Sequence, residues 1–451
     1  MKKLLVCLFI SLSLVACRES SGTRGVAPSL SNDIEINYGA AAAFVPTPTV
    51  NLYIENSGSM DGYVLGQREF KDDILTLLTK LNHHYGMENV NVCMINNGIY
   101  QTNINADLNR FDANFRQVWG VGNNQNTNLN HIFDQVLEQT DNQTISILFS
   151  DFIYSIPSQG QTIDLLNRAK ILTQNAFLSR WRQNQMLMAT TIIKMNSRFD
   201  GWYFPYTGDS NRFRINMTRP YYIFIFGNQE IVHDFNQLIS LSNINGFTNK
   251  FMITSENEKD PYWSVLPTSF TAGRFRPDRN ESTSNHIHGI SNVQLSRNGG
   301  GCSRSAPLPL TFSVAVNFSQ IEAEEEYILD PNNYLVTTNN FTITSIHPID
   351  EVSKIITQSD QKMIKNGNPT HIIILKGNSL GISNVNFYLK KEIPQWVYNS
   401  TSLDDTTLAM PEGATFGFSY LVEGIFEAYQ EINREINREN KKYFECSISI
   451  N

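Results

Sequence analysis

The chain has 451 residues, which is enough for two or three domains of ordinary size. Hydrophobic residues make up 41% of it, so packed cores are expected and wholesale disorder is excluded. The formal net charge of −8 offers no electrostatic basis for holding nucleic acid, and we expect no nucleic-acid partner. Past the N-terminal segment, no apolar run in the sequence is long enough to cross a bilayer.

The N-terminus has the pattern of an export signal. A positively charged start, Met1-Lys2-Lys3, is followed by the apolar run Leu4–Leu14. The stretch Leu14-Val15-Ala16-Cys17 resembles a bacterial lipobox, whose cysteine is acylated and becomes the mature N-terminus. The resemblance implies a lipoprotein signal peptide over residues 1–16 and lipidation at Cys17. An ordinary secretory signal or an N-terminal anchor is the alternative.

A lipidated cysteine would hold the protein to a membrane without spanning it. Arg18 follows the cysteine, where an inner-membrane retention signal has Asp, so we expect a cell-envelope protein at the outer membrane. Residues 17–47 are rich in Ser, Gly, Ala, Pro and Asn and lack periodicity, which is typical of a flexible tether.

The other cysteines carry little information about function. Cys93 lies in an apolar run and is expected to be a buried thiol. Cys302 and Cys446 could form a disulfide in an oxidising compartment. The sequence has no CxxC and no Cys/His spacing of the kind that binds zinc.

Strands and helices alternate between residues 48 and 242. Short apolar runs predict strands, and apolar residues at helical spacing predict helices. The predicted strands lie at 50–54, 89–95, 144–151, 186–193 and 220–226, and the predicted helices at 68–85, 128–137, 163–183 and 229–241. The alternation favours an α/β fold with a doubly wound, mostly parallel sheet and right-handed crossovers.

A candidate metal site follows the first of these strands. The apolar run Leu52-Tyr53-Ile54 stops at Glu55, and Ser57 and Ser59 follow at alternate positions. Open α/β sheets bind ligands outside the carboxyl ends of their strands, so the segment is well placed. A carboxylate and two hydroxyls are hard oxygen ligands of the kind that Mg²⁺ takes.

These residues resemble the metal-ion-dependent adhesion site of von Willebrand factor A (vWA) domains, whose first motif is Asp-x-Ser-x-Ser. Here the motif is Glu55-x-Ser57-x-Ser59, with Glu in place of Asp. A second motif, Thr at the start of a helix, matches Thr127, and a third, Asp at the end of a buried strand, matches Asp151.

The resemblance implies a vWA-like domain over residues 48–242 with metal ligands from all three motifs. The implied ligands are Glu55, Ser57, Ser59, Thr127 and Asp151. The hydroxyls would bind Mg²⁺ directly, and the carboxylates would bind it directly or through water. The ion could then accept a carboxylate from another protein. The alternative is a degenerate site in which Glu55 only caps the loop.

The second half of the chain has a different pattern. Residues 243–310 read as an irregular linker region, and residues 311–451 as a β-rich, sandwich-like domain. Apolar residues at helical spacing between 418 and 436 predict a terminal amphipathic helix. We expect this helix to pack on the β-rich domain or on the sheet rather than on a membrane.

Four further segments contain residue types that occur in functional sites. Gly377–Gly381 matches the G-x-S-x-G nucleophile elbow, but a strand-like segment follows it, so a turn is favoured. His286 and His288 could share a metal but have no nearby carboxylate. The acidic run 322–326 is interpreted as a solvated face. The aromatic segment 199–206 reads as an irregular loop that either packs inward or forms an interaction surface.

The leading hypothesis is a non-enzymatic, lipid-anchored cell-envelope protein that binds a protein or surface ligand through the magnesium site. The second is a structural subunit of an envelope assembly with a metal-free vWA scaffold, which the Glu55 departure favours. The third is a hydrolase with its chemistry in the C-terminal half. The sequence offers no nucleophile–His pair or carboxylate pair in support of the third.

Overall fold

The structure is a computed structural model. It describes residues 47–65, 67–104, 106–123, 128–154, 161–207, 211–255, 260–294, 309–377, 383–407, 412–436 and 441–451. The predicted signal peptide (1–16), Cys17, the tether up to residue 46 and Thr127 therefore lie outside the described residues.

The first sheet carries the residues of the candidate site. Its strands are β1 (Thr49–Glu55), β2 (Val90–Ile95), β3 (Ile99–Gln101), β4 (Thr144–Ser150), β5 (Met188–Tyr203), β6 (Phe213–Asn228) and β7 (Phe247–Thr254). They lie in the order β3-β2-β1-β4-β6-β5-β7. β1 pairs in parallel with β2 and β4, and the other pairs are antiparallel.

The prediction of a mixed α/β architecture is confirmed, and parallel pairing in this sheet is confined to the three adjacent strands β2, β1 and β4. These strands are apolar because both of their faces are covered, and all residues of β4 are buried. The second half of the sheet is antiparallel because β5 and β6 form a hairpin, which needs no crossover helix.

Helices cover both faces of this sheet. They are α1 (Asp61–Val64), α2 (Glu69–Tyr85), α3 (Leu108–Trp119), α4 (Leu129–Glu138), α5 (Thr162–Asn184) and α6 (Gln229–Leu238). The long ones match the predicted helices, but α3 was not predicted. Its sequence carries the signals: Asp107 caps the first turn by accepting from two backbone amides, and Phe111 and Phe115 are buried.

The predicted irregular loop at 199–206 is wrong for its first half, because residues 199–203 belong to β5. The β5–β6 hairpin extends beyond the rest of the sheet, with pairing that continues to Tyr203 and Phe213. Phe199 and Tyr203 are buried on one side, whereas Trp202 is 44% exposed on the other. Aromatic residues on both sides of the strand hid this alternation in the sequence.

The rest of the chain is β-rich, as predicted. Its strands are β8 (Trp263–Leu266), β9 (Arg274–Pro277), β10 (Gly289–Gln294), β11 (Leu310–Val316), β12 (Tyr334–Val336), β13 (Phe341–Pro348), β14 (His371–Gly377), β15 (Asn384–Lys390), β16 (Thr401–Ser402), β17 (Thr415–Phe416) and β18 (Lys442–Ile450). One sheet has the order β12-β15-β18-β10-β9 and another the order β13-β14-β11-β8. Buried side chains of both sheets, such as Phe312, Phe387 and Ile448, share one core.

The interpretation of residues 243–310 as an irregular linker is wrong. β7 in that region extends the first sheet, and β8, β9 and β10 belong to the two sheets of the β-rich part. These last three strands have only four to six residues, and most side chains of β9 are exposed. Such short strands have too few alternating positions to be distinguished from loops.

The remaining helices are α7 (Glu325–Leu329), α8 (Ile349–Val352), α9 (Gln358–Ile364), α10 (Gln395–Asn399) and α11 (Phe418–Glu435). α8 and α9 cover the outer face of the four-stranded sheet. None of the helices in the described ranges is both long and apolar enough to cross a membrane.

The terminal amphipathic helix α11 packs on the first sheet, one of the two placements that we expected. Leu421, Ile425 and Tyr429 are buried in the same core as β1 and β4, and the Tyr429 hydroxyl lies 2.8 Å from Thr190 Oγ1. The chain therefore leaves the first core after β7, builds most of the β-rich part, returns with α10 and α11, and ends in β18 of the β-rich part.

Candidate functional site

The loop after β1 places the first motif at the carboxyl end of the sheet. Glu55 and Ser57 are almost completely buried, whereas Ser59 is partly exposed in a short 3-10 turn. The Ser57 and Ser59 hydroxyl oxygens lie 3.0 Å apart. Ser59 therefore gives the buried oxygens a route to solvent.

The end of β4 supplies the opposite side of the site. Because β1 and β4 are parallel and in register, Glu55 lies beside Ser150, whose hydroxyl donates to the Glu55 carboxylate. Ser59 forms a side-chain hydrogen bond to Asp151, which also accepts from the backbone amide of Ile153 at 3.3 Å. The structure thus brings together Glu55, Ser57, Ser59 and Asp151 from two distant parts of the chain.

The Asp151 carboxyl is only 3% exposed, and its environment opposes ionisation. Burial raises its pKa, and the hydrogen bond from Ser59 acts in the opposite direction. The next residue, Phe152, has a φ of 50°, a left-handed conformation that is uncommon for a bulky side chain. The backbone amide of Phe152 donates to Ser150 Oγ at 2.8 Å, and this local hydrogen bond stabilises the turn that follows Asp151.

The site lies at a topological switch point. From β1 the chain moves to β2 and β3 on one side, and then returns to β4 on the other side of β1. In open α/β sheets, ligands bind outside the carboxyl ends of the strands at such a point. Glu55, Ser57, Ser150 and Asp151 lie at or directly after these ends of β1 and β4.

Two asparagines that we did not predict as site residues anchor the neighbouring loop. The Asn56 side-chain amide donates to the backbone oxygens of Trp119 and Val121, at 2.7 and 2.9 Å. Asn96, at the end of β2, donates to Asn56 Oδ1 and to the Val121 oxygen, both at 2.9 Å. The segment that leads toward residues 124–127, which include the predicted ligand Thr127 and lie outside the described residues, is therefore fixed to the strand ends.

A buried arginine, which the sequence patterns did not predict, lies close to the site. Arg219 on β6 is 2% exposed, and its guanidinium carbon lies 4.4 Å from the centre of the Tyr203 ring. Its positive charge lowers the pKa of Asp151, against the larger effect of burial. No pattern in the sequence around Arg219 distinguishes it from an ordinary surface arginine.

The two histidines His286 and His288 have structural roles, and the G-x-S-x-G segment lies between two strands. His286 Nδ1 lies 3.0 Å from Thr283 Oγ1, and His288 Nε2 lies 3.1 Å from the Trp263 carbonyl oxygen. Strand β14 ends at Gly377 and β15 begins at Asn384, so a strand follows the G-x-S-x-G segment, whose residues 378–381 lie outside the described residues. A nucleophile elbow leads into a helix, whereas the next described element here is a strand.

The interpretation of the acidic run 322–326 as a solvated face is wrong for Glu322 and Glu324. Glu322 accepts from His233 Nδ1 at 2.9 Å and from Lys250 Nζ at 3.1 Å. Glu324 accepts from the backbone amide of Lys250, and burial raises its pKa to about 7. These carboxylates join the β-rich part to β7 and α6, a long-range contact that the local charge pattern does not reveal.

Of the cysteines, Cys93 and Cys446 are buried free thiols, and Cys302 lies outside the described residues. Among the described residues, no group of three or more His, Cys, Asp or Glu side chains is placed to hold a metal ion. The predicted site is of another kind, because it combines two carboxylates with hydroxyls.

Comparison with protein-family models, with curated proteins and with solved structures found no match. The functional interpretation therefore depends on the geometry of the site.

Proposed function

We propose that this chain is a lipid-anchored cell-envelope protein that binds a protein or surface ligand through a vWA-type, Mg²⁺-dependent site. The observation that supports it is the convergence of Glu55, Ser57, Ser59 and Asp151 at one switch point of an α/β sheet. The residues come from positions about a hundred apart in the sequence, and β1 and β4 need no such residues for their pairing.

The donor set fits a hard divalent cation. Ser57, Ser59 and Asp151 would bind Mg²⁺, together with Thr127, and Glu55 would act directly or through the Ser150 hydroxyl. Two buried carboxyl groups favour a cation, because each is costly to ionise without one. A bound Mg²⁺ would act as a Lewis acid toward a carboxylate that a partner protein supplies through the opening at Ser59.

We also propose that the first sheet is related to the vWA fold. The order β3-β2-β1-β4, in which β1 lies between β2 and β4, together with the helices on both faces, supports this proposal. The antiparallel β5–β6 hairpin departs from a doubly wound sheet.

Magnesium should stabilise the protein if it binds the native state only. At a concentration ten times the dissociation constant, such a ligand stabilises by about 1.4 kcal/mol. We expect the melting temperature to rise with added MgCl₂, the rise to disappear in Ser57→Ala, and it to persist in Ser240→Ala, an exposed serine outside the site. Equal melting curves with and without millimolar Mg²⁺ would remove the metal from the proposal.

The second candidate, a metal-independent scaffold, is favoured by Arg219, which already places a positive charge near Asp151. Capture of envelope proteins with and without EDTA distinguishes the two. Loss of a specific partner on chelation, and on substitution of Ser57 but not of Ser240, supports the metal-dependent function. Retention of that partner under both conditions supports the scaffold.

The anchor is testable independently of the site. We expect Cys17→Ser to move the protein from the membrane fraction to the soluble fraction, because residues 47–451, as far as the structure describes them, contain no helix that could span a membrane and hold the chain there. Fractionation followed by immunoblotting measures this, with Cys93→Ser as the matched cysteine control. Unchanged membrane association of Cys17→Ser would contradict the lipoprotein interpretation.

A further inference from the structure

Arg219 is a buried cation on β6, at a position where the pairing of the strand does not require a charge. It lies on β6 under the aromatic ring of Tyr203 and interacts with the Tyr63 hydroxyl. Its Nη2 atom is buried and has no hydrogen-bond partner among the described residues. A guanidinium keeps its charge in proteins, so Arg219 is a permanent positive charge beside the site.

Another buried carboxyl group contacts the same tyrosine at its hydroxyl. Asp405 is 0% exposed and accepts from the Tyr203 hydroxyl at 2.7 Å and from the Tyr206 amide at 3.0 Å. β6 pairs antiparallel with β4 up to the pair Ser150–Tyr222, so Arg219, three residues before Tyr222, lies beyond the carboxyl end of β4, where Asp151 is. The charge of Arg219 acts on both Asp405 and Asp151. The Arg219 guanidinium therefore interacts electrostatically with two carboxyl groups. Only one of them, Asp151, belongs to the candidate metal site.

This arrangement affects how strongly the site attracts a cation. In a buried environment a fixed positive charge repels an approaching divalent ion strongly, because little water screens the interaction. Asp405 offsets part of that charge. Removal of Arg219 should therefore strengthen metal binding, and removal of the Asp405 charge should weaken it.

We propose that Arg219, balanced by Asp405, sets the affinity of the Glu55–Ser57–Ser59–Asp151 site for a divalent cation. The inference depends on the proposed function, because it concerns the same site. Neither residue is placed as a ligand: Arg219 carries the wrong charge, and Asp405 hydrogen-bonds to Tyr203 and Tyr206. Both act through the field at Asp151 and are positioning residues.

The test is a direct titration with Mn²⁺, monitored by electron paramagnetic resonance, on the wild-type protein and four variants. We expect at least tenfold tighter binding in Arg219→Met, an affinity within about threefold of wild type in Arg219→Lys, and weaker binding in Asp405→Asn. Adding Ser57→Ala to Arg219→Met should abolish the gain. Circular dichroism melting verifies that each variant is folded.

The outcomes separate this inference from the proposed function. Equal affinities of wild type and Arg219→Met would overturn the inference and leave the metal-dependent function standing. Binding by Arg219→Met alone would support the inference and overturn Mg²⁺ dependence of the native protein. No binding by any form would overturn both. If Arg219→Met fails to fold, Asp405→Asn decides, and unchanged or tighter binding in that variant would overturn the inference.

Discussion

A chain that ends at residue 255 will not fold cooperatively, although it contains every strand of the first sheet. The reason is α11, which is distant in sequence but lies in the same core. Six of its apolar side chains are at most 1% exposed: Phe418, Leu421, Val422, Ile425, Tyr429 and Ile432. At about 2 kcal/mol for each buried side chain, their loss removes about 12 kcal/mol, comparable to the whole stability of a domain.

The control is a chain in which the two segments that build the first core are joined directly. Lys391 Nζ donates to Thr254 Oγ1 at 2.6 Å, so the two chain segments are adjacent. A short Gly/Ser linker can therefore join residues 47–255 to residues 393–436 without the β-rich part. We expect thermal unfolding followed by circular dichroism to be cooperative for the linked chain and not for residues 47–255 alone. A sharp transition in the short chain would contradict the assignment of α11 to this core.

Gly201→Ala will destabilise the protein by about 2–3 kcal/mol, because the added methyl group has no room. A Cβ at Gly201 would lie 2.6 Å from the Cα of Gly62 and 3.1 Å from its nitrogen. Gly62 is in α1, directly after the turn that carries Ser59. The two glycines let the β5–β6 hairpin pack backbone to backbone against the segment that follows the first motif.

The matched control is Gly120→Ala, because a Cβ at Gly120 meets no atom within 4 Å and Gly120 has a φ of −83°. Urea unfolding of the two variants measures the difference in the free energy of unfolding. We expect Gly120→Ala to stay within about 0.5 kcal/mol of wild type. Similar stabilities for the two alanine variants would contradict the close backbone contact between the β5–β6 hairpin and α1.

Local patterns were sufficient for much of the first sheet and for part of the site. β1, β2 and β4 are buried on both faces, so their sequences are short apolar runs with clear ends. The positions of Glu55 and Asp151 at two of those ends were therefore predictable. Their proximity was implied by the resemblance to vWA domains, and it requires that β1 and β4 be neighbours, because neighbouring parallel strands have their carboxyl ends at the same edge.

Other site residues could not be predicted in this way. Arg219 and Asp405 are buried charges whose compensation comes from residues far away in the sequence, so no local window contains the reason for them. Ser150 was assigned to a strand, but its role as donor to Glu55 depends on the register between β1 and β4.

The amino-acid sequence by itself determined the existence of an α/β part, the two strand ends with their carboxyl and hydroxyl side chains, and a β-rich second part. Each of these depends on periodicity within a few residues. Only the tertiary structure decided that α11 completes the first core, that β5 and β6 form one long hairpin, and that a buried arginine adjoins the candidate metal site. These features depend on contacts between segments that are far apart in the sequence. Burial of apolar area drives folding, but no single segment specifies which distant segment it will contact.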